Sequence, residues 1–157
     1  LAAVLGLPFG FASHFAPGYL QQALDIYRER FQPSAQLDKP YAMVGVNVVA
    51  AETDAEARRL FTSKQQQFAN MFRGTRGRLQ PPIDDIETYW TPGEKMQASN
   101  MLACSFVGSA ETVRRELDAF VARTGADELM VATAVYDHAA RLRSYAILAA
   151  VRETADA

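Results

Sequence analysis

The nearly uninterrupted β-branched run YAMVGVNVV, residues 41–49, constrains the fold more than any other stretch of the chain. A strand with one wet face alternates apolar and polar residues. A run without alternation must be covered on both faces, which is how a strand of a parallel sheet flanked by helices reads. Two other segments share this character. Residues 7–13 are apolar, with Pro8 confined to the strand's start because it has no N–H to give a ladder. ELMVATAVY at 128–136 is a third strand.

Between these runs the spacing is helical. LAAVLG at 1–6 reads as the last turn of a helix closed by Gly6. Pro17 suits a first helical position, and Leu20, Leu24, Tyr27 and Phe31 follow on one face, ended by the Pro33 region. Thr53 and Glu56 have the T-x-x-E spacing of a capping box. The helix they start carries Leu60, Phe61, Phe68, Met71 and Phe72 on its apolar face and Arg58, Arg59, Lys64 and Gln65 on its wet one. Ser109 is an N-cap for a helix bearing Val113, Leu117, Phe120 and Val121 and closed by Gly125. Asp137 caps a last helix whose apolar residues are Leu142, Tyr145, Ala146 and Ala149. From Gly74 to about Cys104 the pattern breaks into arginines beside glycines, a Pro-Pro pair and an acidic run. Unstructured loops of that length are uncommon, so residues 74–104 are expected to be a functional, lid-like insertion within a single domain. A short helix is expected near 93–102, with Trp90 and Tyr89 as lid or substrate contacts.

Strand-helix alternation with apolar strands implies parallel strands joined by right-handed crossovers, an α/β fold with three parallel strands. Net charge is −2, from 16 basic and 18 acidic residues, and leaves no electrostatic footprint for nucleic acid or an anionic membrane. No apolar run is long enough to span a bilayer, and a cytoplasmic location is expected. Cys104 has no partner for an internal disulfide and reads as a reduced, buried thiol. Residue 1 is Leu, so the chain reads as processed or cut from something longer.

Ligands of α/β folds bind at the carboxyl ends of strands. Both histidines of the chain follow such ends: His14 after the first strand and His138 after the third. Each has two readings. His14 exchanges a proton or bonds a ligand, or else bonds a backbone carbonyl in the turn; His138 reaches the same rim, or is a solvated first-turn residue beside Asp137. Ser13 positions a ligand or bonds local backbone. A Ser-His dipeptide is not a nucleophile-base pair, and no G-x-S-x-G elbow, P-loop or G-x-G-x-x-G is present. Asp84, Asp85 and Glu87 read as a solvated face without metal-ligand partners, so no metal site is expected. Phe9, Phe11 and Phe15 form either core or one wall of a planar-ligand pocket.

LGLPFGFASHFAP, PYAMVGVNVVAAETDAEARRL, CSFVGSAETV and TGADELMVATAVYDHAARLRSYAIL, in that order, resemble the carboxyl half of luciferase-like flavin-dependent monooxygenases. The resemblance implies part of a (β/α)8 TIM barrel, with the three strands as barrel strands six to eight. It implies a reduced flavin mononucleotide site, or in some branches one for the deazaflavin F420, where dioxygen is activated and a small organic substrate is oxidised. FASH at 11–14 falls on the family's FASH-type segment, so Phe11, Ala12, Ser13 and His14 are the cofactor-binding candidates and His14 the catalytic one. It also implies what is absent here: five strands and the phosphate-gripping loop after strand five, leaving an incomplete site. The missing half would be supplied by more chain or by a partner. A non-catalytic half-barrel that self-associates or binds a partner is the alternative, and a flavin-independent barrel enzyme using His14 is a third.

Overall fold

The computed structural model describes residues 1–75 and 77–153; Arg76, one of the arginines of the 74–104 stretch, lies outside the described residues. The chain runs α1 (Ala2–Leu5), β1 (Phe9–Phe11), a 3-10 turn (Pro17–Tyr19), α2 (Leu20–Glu29), β2 (Ala42–Ala50), α3 (Asp54–Phe72), a second 3-10 turn (Ile86–Thr88), α4 (Pro92–Met101), β3 (Ser105–Gly108), α5 (Ala110–Thr124), β4 (Glu128–Ala132) and α6 (His138–Glu153). Among the described residues, no helix is long and apolar enough to cross a membrane.

All strand pairs are parallel and all involve β2, the run that dominated the sequence. Among the described residues four strands pair where three are expected. The additional one is β3, whose four residues are too few for a periodic signal. It lies on the same edge of β2 as β1: His14 N–H donates to Gly45 O, and Asn47 N–H to Cys104 O. Alternate residues of one parallel strand serve one edge, so β1 takes the lower half of that edge and β3 the upper half. β4 takes the other edge from Met43 to Asn47. β1 is also shorter than the expected 7–13, because the chain turns at Ser13.

Even-numbered β2 residues face the helices. Val44, Val46 and Val48 are fully buried and pack with Leu24 and Tyr27 of α2 and Val113, Leu117 and Phe120 of α5. Burying each such valine stabilises the fold by roughly 1.5–3 kcal/mol. Phe9 and Phe11 join this side, Phe9 stacking on Tyr27 at 4.9 Å. The opposite face of the sheet is largely open towards its β1 and β4 ends, where Gly10, Ala12 and Met130 are exposed.

α6 presents a different face from the one its large apolar residues suggest. Leu142 and Tyr145 are 55% and 42% exposed, Ala146 and Ala149 are exposed, and the inward face is Ala140, Ser144, Ile147 and Leu148. The reason is a hydrogen bond. Ala50 N–H, at the end of β2, donates to Ser144 Oγ at 2.9 Å, so a polar residue centres the buried face.

The stretch between β2 and β3 is a helical hairpin whose first arm is α3. Trp90 sits inside it with Phe68, Ala69, Ala98 and Leu102. Thr91 and Glu94 form a full capping box at α4, and the Arg73 guanidinium bonds both Glu94 oxygens at 2.6 and 2.9 Å. The Pro-Pro run is strapped along α3, with Ile83 N–H donating to Thr62 Oγ1 and Gln66 Nε2 to Pro81 O, each at 2.9 Å.

Candidate functional site

The candidate site lies at the carboxyl end of β1, where the chain leaves the edge of β2 and β3 takes its place. Gly45 is the pivot. Its carbonyl accepts from His14 N–H at 3.0 Å and from Ser13 Oγ at 2.5 Å. Its α-carbon faces the open side of the sheet, and there the His14 imidazole lies against it. A methyl group at Gly45 would stand 2.8 Å from His14 Cε1 and nearer still to Nδ1, so glycine is required for the ring to occupy this position.

Ser13 is fully buried and its hydroxyl is committed to the Gly45 carbonyl. It therefore positions the turn and does not reach the rim, contrary to the ligand-facing expectation. The bond crosses 32 residues, so the sequence alone offers no signal for it. The Cys104 thiol is buried, as expected; burial pushes its pKa up, with a hydrogen bond to the Ser13 hydroxyl opposing that shift. Beside it Asn47, also buried, donates from Nδ2 to Ser105 Oγ at 3.2 Å.

His14 is partly buried, and its Nδ1 is enclosed without a hydrogen-bond partner. Phe15 stacks obliquely on the imidazole at 4.3 Å between centroids and is 60% exposed. Phe11 packs towards the helix-side core, so its ring is not on the His14 face. Ala12 is exposed.

The other candidates lie elsewhere. His138 is the exposed first residue of α6, with Nδ1 3.2 Å from an Arg141 nitrogen. Its strand, β4, borders β2 on the edge opposite β1. Trp90 is only 8% exposed, inside the hairpin, its indole N–H on Glu87. Tyr89 is half-buried behind α3, donating to Asn70 Oδ1 at 2.8 Å under the Arg73 guanidinium. Of the acidic run, Asp84 pairs with Arg59, Glu87 with Lys95, and Asp85 caps the 3-10 turn.

Asp54 ties two helices together at the same end of the sheet. Its carboxylate accepts from Ser109 N–H at 2.7 Å and from Thr112 Oγ1 at 3.1 Å, and these hydrogen bonds, the backbone one foremost, hold its pKa below the usual value. The close approach passes over Gly108, where a methyl group would meet Thr112 at 2.6 Å. The amino end of α5, a natural anion site, is thus already filled by a carboxylate.

A flavin ring needs a flat floor poor in side chains and a hydrogen-bonding edge. Gly10 and Ala12, exposed beside the His14 imidazole, fit the ring side of such a group, while the amino end of α5 is taken by Asp54 and does not fit its phosphate.

A family model described as luciferase-like monooxygenase matches residues 1–128. The chain belongs to this family. An Escherichia coli K12 luciferase-like monooxygenase is 48% identical over 153 residues, covering 98% of this chain and 46% of that protein. The Bacillus subtilis protein YvbT is 46% identical over 151 residues, covering 96% and 45%. The crystal structure of apo-MsnO8 superposes with a TM-score of 0.86 at 34% identity, over 97% of this chain and 46% of that one. An FMN complex of the oxygenating constituent of 3,6-diketocamphane monooxygenase shares the fold, with a TM-score of 0.53 at 18% identity. This luciferase-like chain therefore spans about half the length of the relatives it matches.

Proposed function

We propose that this chain supplies the His14 side of the cofactor site of a luciferase-like, flavin-dependent monooxygenase that oxidises a small organic substrate with dioxygen. The observation that carries the reading is the His14 imidazole held on Gly45 at the carboxyl end of β1, with Nδ1 enclosed and without a hydrogen-bond partner. A bound reduced flavin would supply the electrons for dioxygen activation. His14 would bond the ring's polar edge, Ser13 would fix the turn that carries it, and Gly10 and Ala12 would let the ring approach the sheet. The remaining walls, and the grip on a phosphate, would come from the part of the relatives that this chain does not match. F420 in place of FMN is the same reading with a different ring.

The test joins this chain to the unmatched part of the E. coli relative and follows oxygen uptake with reduced FMN. His14→Ala is expected to lower reduced-FMN affinity at least about ten-fold, the loss of one hydrogen bond to a charged or strongly polar group. Ser13→Ala is expected to lower stability as well as binding. Unchanged flavin affinity in His14→Ala would remove the assignment.

The second reading is a half-barrel that pairs with a copy of itself, and the exposure of Met130, Leu142 and Tyr145 favours it. A monomeric mass by sedimentation, with no binding of an apolar-surface dye, would eliminate it.

A further inference from the structure

A cavity of about 640 Å³ lies between the turn after β1, the second half of α3 and the segment that bears Thr75, Gly77, Arg78 and Gln80. Its walls combine apolar side chains with a half-buried lysine and an exposed arginine. Phe15, Phe68, Met71 and Met101 give it an apolar lining, while Lys64 and Arg78 bring two cations to it. Among the described residues no acidic side chain lines it and neither cation has an ion-pair partner. Lys64 is partly buried, with its ammonium 5.3 Å over the Phe68 ring, and burial lowers its pKa. A cation kept in such a place without a counter-charge is poised for an incoming anion. Asn70 is a further wall residue, whose Oδ1 accepts from Tyr89 Oη at 2.8 Å. Phe15 connects the cavity to His14, on which it stacks.

We infer that this cavity binds a small amphipathic anion, a carboxylate or phosphate monoester on an apolar body, with Lys64 and Arg78 at the head group and Phe15, Phe68, Met71 and Met101 around the body. The inference deepens the monooxygenase reading, on which its status as substrate rests, by giving the substrate a chemical class. The cavity's size suits a body of roughly ten carbons, which fills a modest part of a drug-sized pocket.

Trp90, the single tryptophan, packs in the same cluster as Phe68 and reports on the cavity by its emission. The experiment titrates this chain, without flavin, with decanoate, decyl phosphate and decan-1-ol, reading Trp90 emission and heat. Either anion is expected to bind about ten-fold or more tightly than the alcohol, as charge-assisted bonds imply, and the stronger anion identifies the head group. Lys64→Met and Arg78→Met are each expected to reduce that preference about three-fold or more at unchanged unfolding midpoint, while Leu142→Glu, on the exposed face of α6, leaves it intact. Equal binding of alcohol and anions, a preference that survives both cation variants, or no heat from any of the three would overturn the inference. Because no flavin is present, a failure of flavin-dependent oxygen uptake with this preference intact would count against the monooxygenase reading alone.

Discussion

The His14 imidazole occupies the space that a side chain at residue 45 would fill, so Gly45 and His14 are one structural decision made in two parts of the sequence. The strand supplies a gap and the turn after β1 fills it. Gly45→Ala is expected to destabilise the fold by about 1–3 kcal/mol through overpacking, and His14→Ala in that background to restore most of the loss. A urea-denaturation cycle on the two residues checks this. Additive effects would show that the ring is not held by this contact.

The helix-side face of α6 makes a contrast between a small polar residue and large apolar ones. Ser144→Ala leaves the buried Ala50 N–H without a partner and is expected to cost about 1–3 kcal/mol. Leu142→Ala, on the exposed face, is expected to stay within about 0.5 kcal/mol in this chain. The same leucine would become costly to truncate once the unmatched part of the relatives is joined. Thermal unfolding of both variants in both contexts separates these outcomes.

Two carboxylates give the fold an acid limb. Arg73 above all, with the Thr91 backbone N–H, holds Glu94 at about 2 against its ordinary 4.5, and Ser109 with Thr112 lowers Asp54. Folded values below unfolded ones mean that the stabilisation is complete above the ordinary carboxylate range and is lost as pH falls through the folded values. The urea midpoint should be level from neutral pH to about 5 and decline from there towards 2. Glu94→Gln should lower the neutral plateau and flatten the decline; a curve parallel to the original would exclude the Arg73 pair as its source.

Much of this was legible beforehand because it rests on local chemistry. β2 announced itself by lack of alternation, Gly6 and Gly125 by their places at helix ends, both with positive φ, and Ser109 by its cap. What was not legible depends on contacts distant in sequence. β3 exists because β1 leaves the edge of β2 early; Ser13 turns inward to a carbonyl 32 residues away, which also accepts from His14 N–H. Trp90 stands in a polar stretch, yet it packs in a buried cluster with Phe68, Ala69, Ala98 and Leu102. α6 was oriented by its large residues, when the group that decided its face was a serine hydroxyl.

The most direct test of the central claim, that this chain holds one side of a flavin site, is the affinity for reduced FMN measured anaerobically on this chain alone and on the same chain joined to the unmatched part of the E. coli relative. Weak or no binding alone, with at least about hundred-fold tighter binding when joined and loss of that gain in His14→Ala, is the predicted result. Tight binding by this chain alone, or a joined protein whose affinity ignores His14, would contradict it.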